Sequence, residues 1–211
     1  MPTSQGPAKP KLKDDLGEPE ILAITPVAAP NWALSTQPHS AGQAFAIAKR
    51  LHQSGLWTQR FKTEAQVAAI ILRGRELGIG MTTALEAFYI VRGRPFASAQ
   101  LISGLAEQDK NHDYAMLKHL DTKRAVVEIK HKRQPKPVDW EYTIDEAEKL
   151  GLLAPSKETG GLSQWVLRPK TMLAKTVRVI GERYMFPAAT LGLHALEMEP
   201  EAQHLVKADD S

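Results

Sequence analysis

"YAMLKHLDTKRAVVEIKHKRQPKPVDWEYT", Tyr114–Thr143, is the stretch that decides the fold. Three runs in it, YAMLKHL, RAVVEIKHK and VDWEYT, are rich in β-branched and aromatic residues, and DTK and RQPKP separate them. Such residues suit a pleated, half-buried surface. Strands joined by connections this short pair antiparallel, so the stretch predicts a three-stranded meander.

Upstream, the period changes. AGQAFAIAKRLHQSGLW (41–57) and TEAQVAAIILRGRELGI (63–79) carry apolar residues at helical spacing, and Gly55 and Gly78 stand where a helix C-terminus favours a left-handed residue. ALEAFYIVRGRPFASAQLISGLAEQ (84–108) reads as a turn of helix, a strand Phe88–Val91, a tight Arg92-Gly93-Arg94 connection, a return through Pro95 and Phe96, and a third helix from about Ser98. Pro95 marks an edge strand, because it cannot donate to a ladder.

Downstream of the meander, Thr143 opens the capping box TIDE, which predicts a short helix ending at Gly151. LLAPSKETGGLSQ (152–164) reads as a mobile loop. The segment from Trp165 to Pro187 reads as a helix with Pro169 in its first turn and Pro187 at its end, and AATLGLHALEM (188–198) as one last helical piece. The fold class is α+β, a small antiparallel sheet and a β-hairpin packed with about five helices. Before residue 44 lie seven of the fourteen prolines, in a polar context without period, so residues 1–39 read as a disordered Pro-rich arm, 40–196 as the core and 197–211 as an acidic tail.

Charge is distributed unevenly among these parts. Residues 44–196 hold 23 Lys and Arg against 15 Asp and Glu, whereas residues 197–211 hold one against five. A basic body points to a polyanionic partner, usually nucleic acid, although proteins that bind none also show this balance. The absence of cysteine excludes disulfides, thiolate metal sites and cysteine nucleophiles. No apolar run is long enough for a membrane span and no secretory signal opens the chain, so a cytoplasmic location is expected. GIGMTT (78–83) follows a helix where a phosphate loop needs a strand, and its glycines read as helix stops. No HExxH or GxSxG motif occurs, His112, His119 and His131 read as surface residues or minor phosphate donors, and the acids of DEAE (145–148) sit where a helix N-terminus favours them. No catalytic residue, metal site or cofactor is therefore assigned.

The candidate sites are cationic. On a helical wheel, Leu173, Val177, Ile180 and Tyr184 share an arc of about 60° and form the core face, while Lys175, Arg178 and Glu182 lie opposite on an open face. An ordinary solvated face with an Arg178–Glu182 pair is the alternative reading of that helix. Arg168, Lys170 and Arg183 extend its basic set, with Lys170 in a first turn that suits an external anion. Arg92 and Arg94 stand at the hairpin turn, and Lys118, Lys123, Arg124, Lys130, Lys132, Arg133 and Lys136 along the meander. Tyr89, Phe96, Trp165 and Phe186 sit among these cations, where they serve either as aromatics of a single-strand groove or as core.

The order VAAIILRGRELGI, ALEAFYIVRGRP, ASAQLISGLAEQ, meander, Trp165 and RPKTMLAKTVRVIGERYMF resembles the RecT/Redβ superfamily of phage-type single-strand annealing proteins over about residues 42–196. The resemblance implies helices packed on a small sheet and hairpin with a narrow cationic groove. It implies ATP-independent annealing of complementary DNA strands in recombination by a ring or helical filament of identical subunits, with single-stranded DNA and annealed duplex as ligands. A 5′–3′ exonuclease and a host single-strand-binding protein are the protein partners it implies. It carries over Lys170, Lys175 and Arg183 as the basic positions of the late helix and Trp165 as the Trp ahead of it, with Arg92 and Arg94 matching a hairpin of variable charge. The chain departs from larger members after Met198, where a short acidic tail stands in place of a further module. A duplex-binding structural or regulatory protein is the alternative, and a small nuclease a more distant one.

Overall fold

The computed structural model describes residues 37–155 and 160–200, all within the unit that begins at Thr36. Most of the arm expected at 1–39, residues 156–159 of the expected loop and residues 201–211 of the expected tail lie outside the described residues.

Helix α1 (Ala41–Gln53) is capped by Ser40, whose hydroxyl accepts the Gln43 N–H, and α2 (Glu64–Glu76) by Thr63, which accepts from Gln66. Gly55 and Gly78 follow them with φ of 80° and 71°, the left-handed exit that a residue with a Cβ resists. Helix α3 (Met81–Ala87) runs into β1 (Phe88–Val91), which pairs antiparallel with β2 (Arg94–Ala97) in the register Phe88 opposite Ala97 and Ile90 opposite Pro95. The connecting Arg92 and Gly93 both have positive φ, the primed turn whose twist matches a two-residue hairpin. Ser98 then caps α4 (Ala99–Glu107).

The meander forms as read: β3 (His112–Leu120), β4 (Arg124–His131) and β5 (Val138–Thr143) pair antiparallel in the order β3-β4-β5. Ala125, Val127 and Ile129 of the central strand are buried, opposite Tyr142, Trp140 and Val138 of β5. Alternation sends Arg124, Val126, Glu128 and Lys130 to the open face. Thr143 and Glu146 close the capping box of α5 (Ile144–Lys149), with the Thr143 N–H donating to the Glu146 carboxylate at 2.8 Å. Then come α6 (Gln164–Leu167), α7 (Pro169–Met185), α8 (Pro187–Thr190) and a 3₁₀ turn, Leu196–Met198.

The result is a mixed α+β fold, a small antiparallel sheet and a hairpin with several helices. The described residues hold eight α-helical segments rather than about five. One cause is proline. Arg168 (ψ 57°) and Phe186 (ψ 57°) leave the helical region because each precedes a proline that disfavours it, and this cuts α6, α7 and α8 apart. The single helical piece expected at 188–198 is broken as well, at Leu191 and Gly192, both left-handed.

Two apolar clusters build the core, and α7 contributes to both. α1, α2, α3, the hairpin and α4 surround Phe61, Ile70, Ile71, Phe88 and Ile102, and Val179 of α7 joins them. The sheet, α5 and α6 surround Val127, Ile129, Tyr142 and Trp165, joined by Met172, Leu173 and Val177 of α7. A helix covered from two sides has no single open face, which corrects the wheel: Glu182, placed outside, is fully buried, and Tyr184, placed in the core, is 75% exposed.

Candidate nucleic-acid interface

Between Glu128 and Asp139 the chain contains no acid, and Lys130, Lys132, Arg133 and Lys136 crowd the β4–β5 turn. Backbone geometry sets this turn. The Gln134 N–H donates to the His131 carbonyl at 2.9 Å, the Arg133 N–H donates to His131 Nδ1 at 3.1 Å, and Lys130 Nζ donates to the Gln134 carbonyl. The Lys132 N–H reaches across to the Asn111 carbonyl at 2.8 Å and its Nζ to the Lys110 carbonyl at 3.1 Å, so the α4–β3 connection adds a fifth cation. Asp109, the nearest acid in that connection, turns its carboxylate onto Asn111, accepting from the backbone N–H at 2.8 Å and from Nδ2 at 3.0 Å. Among the described residues, none of the five cations has a carboxylate within ion-pair distance. Like charges held together by a backbone ladder repel, and an external polyanion relieves that repulsion.

Beneath the turn, His112 and His131 are cross-strand partners and both lie against Phe186, at ring distances of 5.0 and 5.5 Å. This corrects their reading as plain surface residues; His112 Nε2 is buried without a partner. The same contact anchors the C-terminal end of α7 beside the basic turn.

Other cations read from the sequence have different fates. Lys118 is tied to Glu128 at 3.1 Å and Asp139 at 3.0 Å, hydrogen bonds that raise its pKa above the ordinary lysine value, Asp139 contributing most. Tyr114 also donates to Glu128, at 2.8 Å. Arg124 faces Glu141 at 3.5 Å. Lys123 occupies the β3–β4 turn with its N–H on Asp121 at 2.7 Å; that carboxylate is held well below the usual range by the N–H of Arg124 first, then by His119 and Lys123. The open sheet face is therefore charge-matched rather than basic, because register brings Asp139 and Glu141 of β5 against cations of β3 and β4.

On α7, Arg178 does not face solvent as a free cation. Its Nε donates to the buried Glu182 at 2.7 Å and its Nη2 to Glu107. Lys170 is exposed, Lys175 and Arg183 are half-buried, and Arg168 is exposed at the α6–α7 break. Lys175 lies close enough to Glu197 for its charge to favour that carboxylate. Arg92 and Arg94 are exposed on the hairpin, away from Lys118, Lys123 and Arg124 in sequence and in a separate sheet.

Three of the four candidate groove aromatics are core. Trp165 is 0% exposed, donates from Nε1 to the Glu197 carbonyl at 3.2 Å and meets Tyr142 at 5.9 Å. Phe186 is buried against the histidine pair, and Tyr89 is buried with the Arg60 guanidinium 4.4 Å from its ring centre. Phe96 is half-buried, its ring 6.0 Å from that of His194. The most exposed aromatic among the described residues is Tyr184, tilted on Trp140 at 5.0 Å and 52°. Trp140 in turn lies over Gly181, where an added Cβ would come within 2.9 Å of the indole.

Glu197, assigned to the tail, is buried, and both its carboxylate oxygens lie 3.1 Å from the Ala99 N–H at the start of α4. Burial raises its pKa above the ordinary glutamate value, a shift opposed by the Ala99 N–H and Lys175. Among the described residues no three His, Asp or Glu side chains gather as a metal site, and no helix is long and apolar enough to cross a membrane. Fold and surface define a mixed α+β protein whose exposed basic turn lies at one end of a small antiparallel sheet. No protein-family model matches the chain, and no curated protein matches its sequence.

Proposed function

We propose that this protein binds single-stranded DNA and anneals complementary strands without ATP, acting as an oligomer in the manner of the RecT/Redβ superfamily it resembles. The observation that carries the reading is the cluster of Lys110, Lys130, Lys132, Arg133 and Lys136, gathered from two chain segments with no carboxylate pairing any of them among the described residues. Phosphate contacts of this kind position a strand without reading its sequence. The protein then lowers repulsion between strands, and base pairing supplies the free energy of annealing. A 5′–3′ exonuclease and a host single-strand-binding protein are the partners this reading calls for.

The test is the rate at which complementary oligonucleotides anneal without ATP, for the native chain and for Lys132→Ala with Arg133→Ala. The native chain should accelerate annealing, and the double variant should lose affinity and flatten the salt dependence of single-strand binding by a slope of about 0.7 for each phosphate contact removed. No acceleration by the native chain refutes the reading. Tight duplex binding without annealing selects the regulatory duplex-binding alternative instead.

A further inference from the structure

Resting on the single-strand reading above, we infer that Tyr184 stacks on an unpaired nucleobase, so that the same surface takes the phosphates on its basic turn and one base on its aromatic ledge. Among the described residues Tyr184 is the most exposed aromatic ring, at 75%, while Trp165, Phe61, Phe88 and Phe186 are fully or almost fully buried. Its hydroxyl has no partner among the described residues, whereas that of Tyr114, the other exposed tyrosine, is engaged by Glu128.

The ring is also backed. Trp140 supports it from one side at 5.0 Å, and Trp140 has no room to sink toward α7, because it packs directly on the Gly181 backbone. A platform held in this way loses little side-chain freedom on binding, which is what an aromatic contact needs in order to contribute its full stacking energy.

The position relative to the cations follows from the fold. Trp140 stands four residues after Lys136, a span that even fully extended chain limits to about 13 Å. Phe186, two residues beyond Tyr184, packs on His131 at the other end of the turn. The acids of β5, Asp139 and Glu141, alternate to the opposite face of the sheet, where they meet Lys118 and Arg124. The ledge therefore lies on the face away from the acids of its own strand and away from Lys130, which alternation sends to the same open face as those acids, and its neighbours along the chain are the turn cations Lys132, Arg133 and Lys136. A duplex offers phosphates to such a surface but keeps its bases stacked inside; only an unpaired strand can offer a base face as well.

The experiment is fluorescence anisotropy with labelled oligothymidylate, an abasic oligomer of equal length and a duplex, using the full chain and its Tyr184→Ala and Tyr184→Phe variants. Tyr184→Ala should bind oligothymidylate about tenfold more weakly, within the range measured for loss of one base–aromatic stack. Its affinity for the abasic oligomer and the duplex should not change, and Tyr184→Phe should bind all three as the native chain does. Equal affinity of Tyr184→Ala and native protein for oligothymidylate overturns the inference, as does an equal loss on the abasic oligomer. If the native chain binds none of the three, the single-strand reading itself fails and the inference falls with it; if only the variant comparison fails, that reading stands.

Discussion

Gly181→Ala tests a close approach between α7 and the sheet. On the present backbone the new Cβ would lie 2.5 Å from Ile129 Cδ1 and 2.9 Å from Trp140 Cγ and Cδ1, against about 3.5–4.0 Å for an ordinary carbon contact. The Ile129 methyl end can rotate away, but the indole is held between α7 and the Tyr184 ring and can only retreat by lifting off both. Overpacking of this kind costs about 1–3 kcal/mol, and alanine returns about 1 kcal/mol as the better helix former, leaving a net loss of about 0–2 kcal/mol. For a domain of this size each kcal/mol moves Tm by about 2–4 °C. Gly104→Ala is the matched control, a glycine within α4 with nothing inside 4 Å of an added Cβ; there the propensity term acts alone and Tm should rise. Thermal unfolding followed by circular dichroism measures both, and tryptophan emission should shift only in Gly181→Ala. A Gly181→Ala protein that gains stability as Gly104→Ala does would refute the packing argument.

Three further outcomes follow from groups whose environment the fold decides. Arg178→Ala strands the buried Glu182 carboxylate and should cost about 3 kcal/mol in urea unfolding, while adding Glu182→Gln recovers part of that loss; no recovery would mean that the ion pair is not the source. Glu197→Gln probes a carboxyl raised by burial: the folded state holds its proton more tightly, so the stability from native Glu197 is greatest at low pH and falls as pH rises from about 4 through the raised value. The stability of the native protein relative to Glu197→Gln should fall over that window, and a difference flat with pH would contradict it. Tyr142, pushed up to about 12 by burial, contributes stability that is present below about pH 10 and lost as pH approaches its folded value, so Tyr142→Phe should remove that part of the alkaline loss seen in melts at rising pH.

Local features were legible wherever a residue type settles its own backbone. Thr143 caps the helix it precedes, the third helix starts beside Ser98, Gly55 and Gly78 leave theirs by left-handed turns, and Phe88–Val91 and the meander form as strands. The start of α7 at Pro169 and its end before Pro187 were also written locally, whereas the separate turn α6 ahead of Arg168 was hidden by the hydrophobic period of the whole segment.

The candidate site was only partly legible, because exposure is not a property of one helix. The wheel of α7 assumed a single covered side, but the helical lobe covers one flank and the sheet another, so Glu182 is buried, Arg178 is its partner, and Tyr184 emerges. Lys110 carried no signal, since only the pairing of Lys132 with Asn111 brings it to the turn. Among the meander cations, strand pairing matches Lys118 with Asp139 and Arg124 with Glu141, partners that order along the chain does not give.

What the sequence determined by itself was the type and order of the elements, since capping, turn chemistry and the alternation of β4 act over a few residues and need no distant partner. The tertiary structure alone decided which charges stay unpaired and which aromatics face water. Pairing and burial depend on neighbours that the chain supplies from tens of residues away, and a low-dielectric contact such as Arg178 with Glu182 exists only once α4, α7 and the sheet have closed around it.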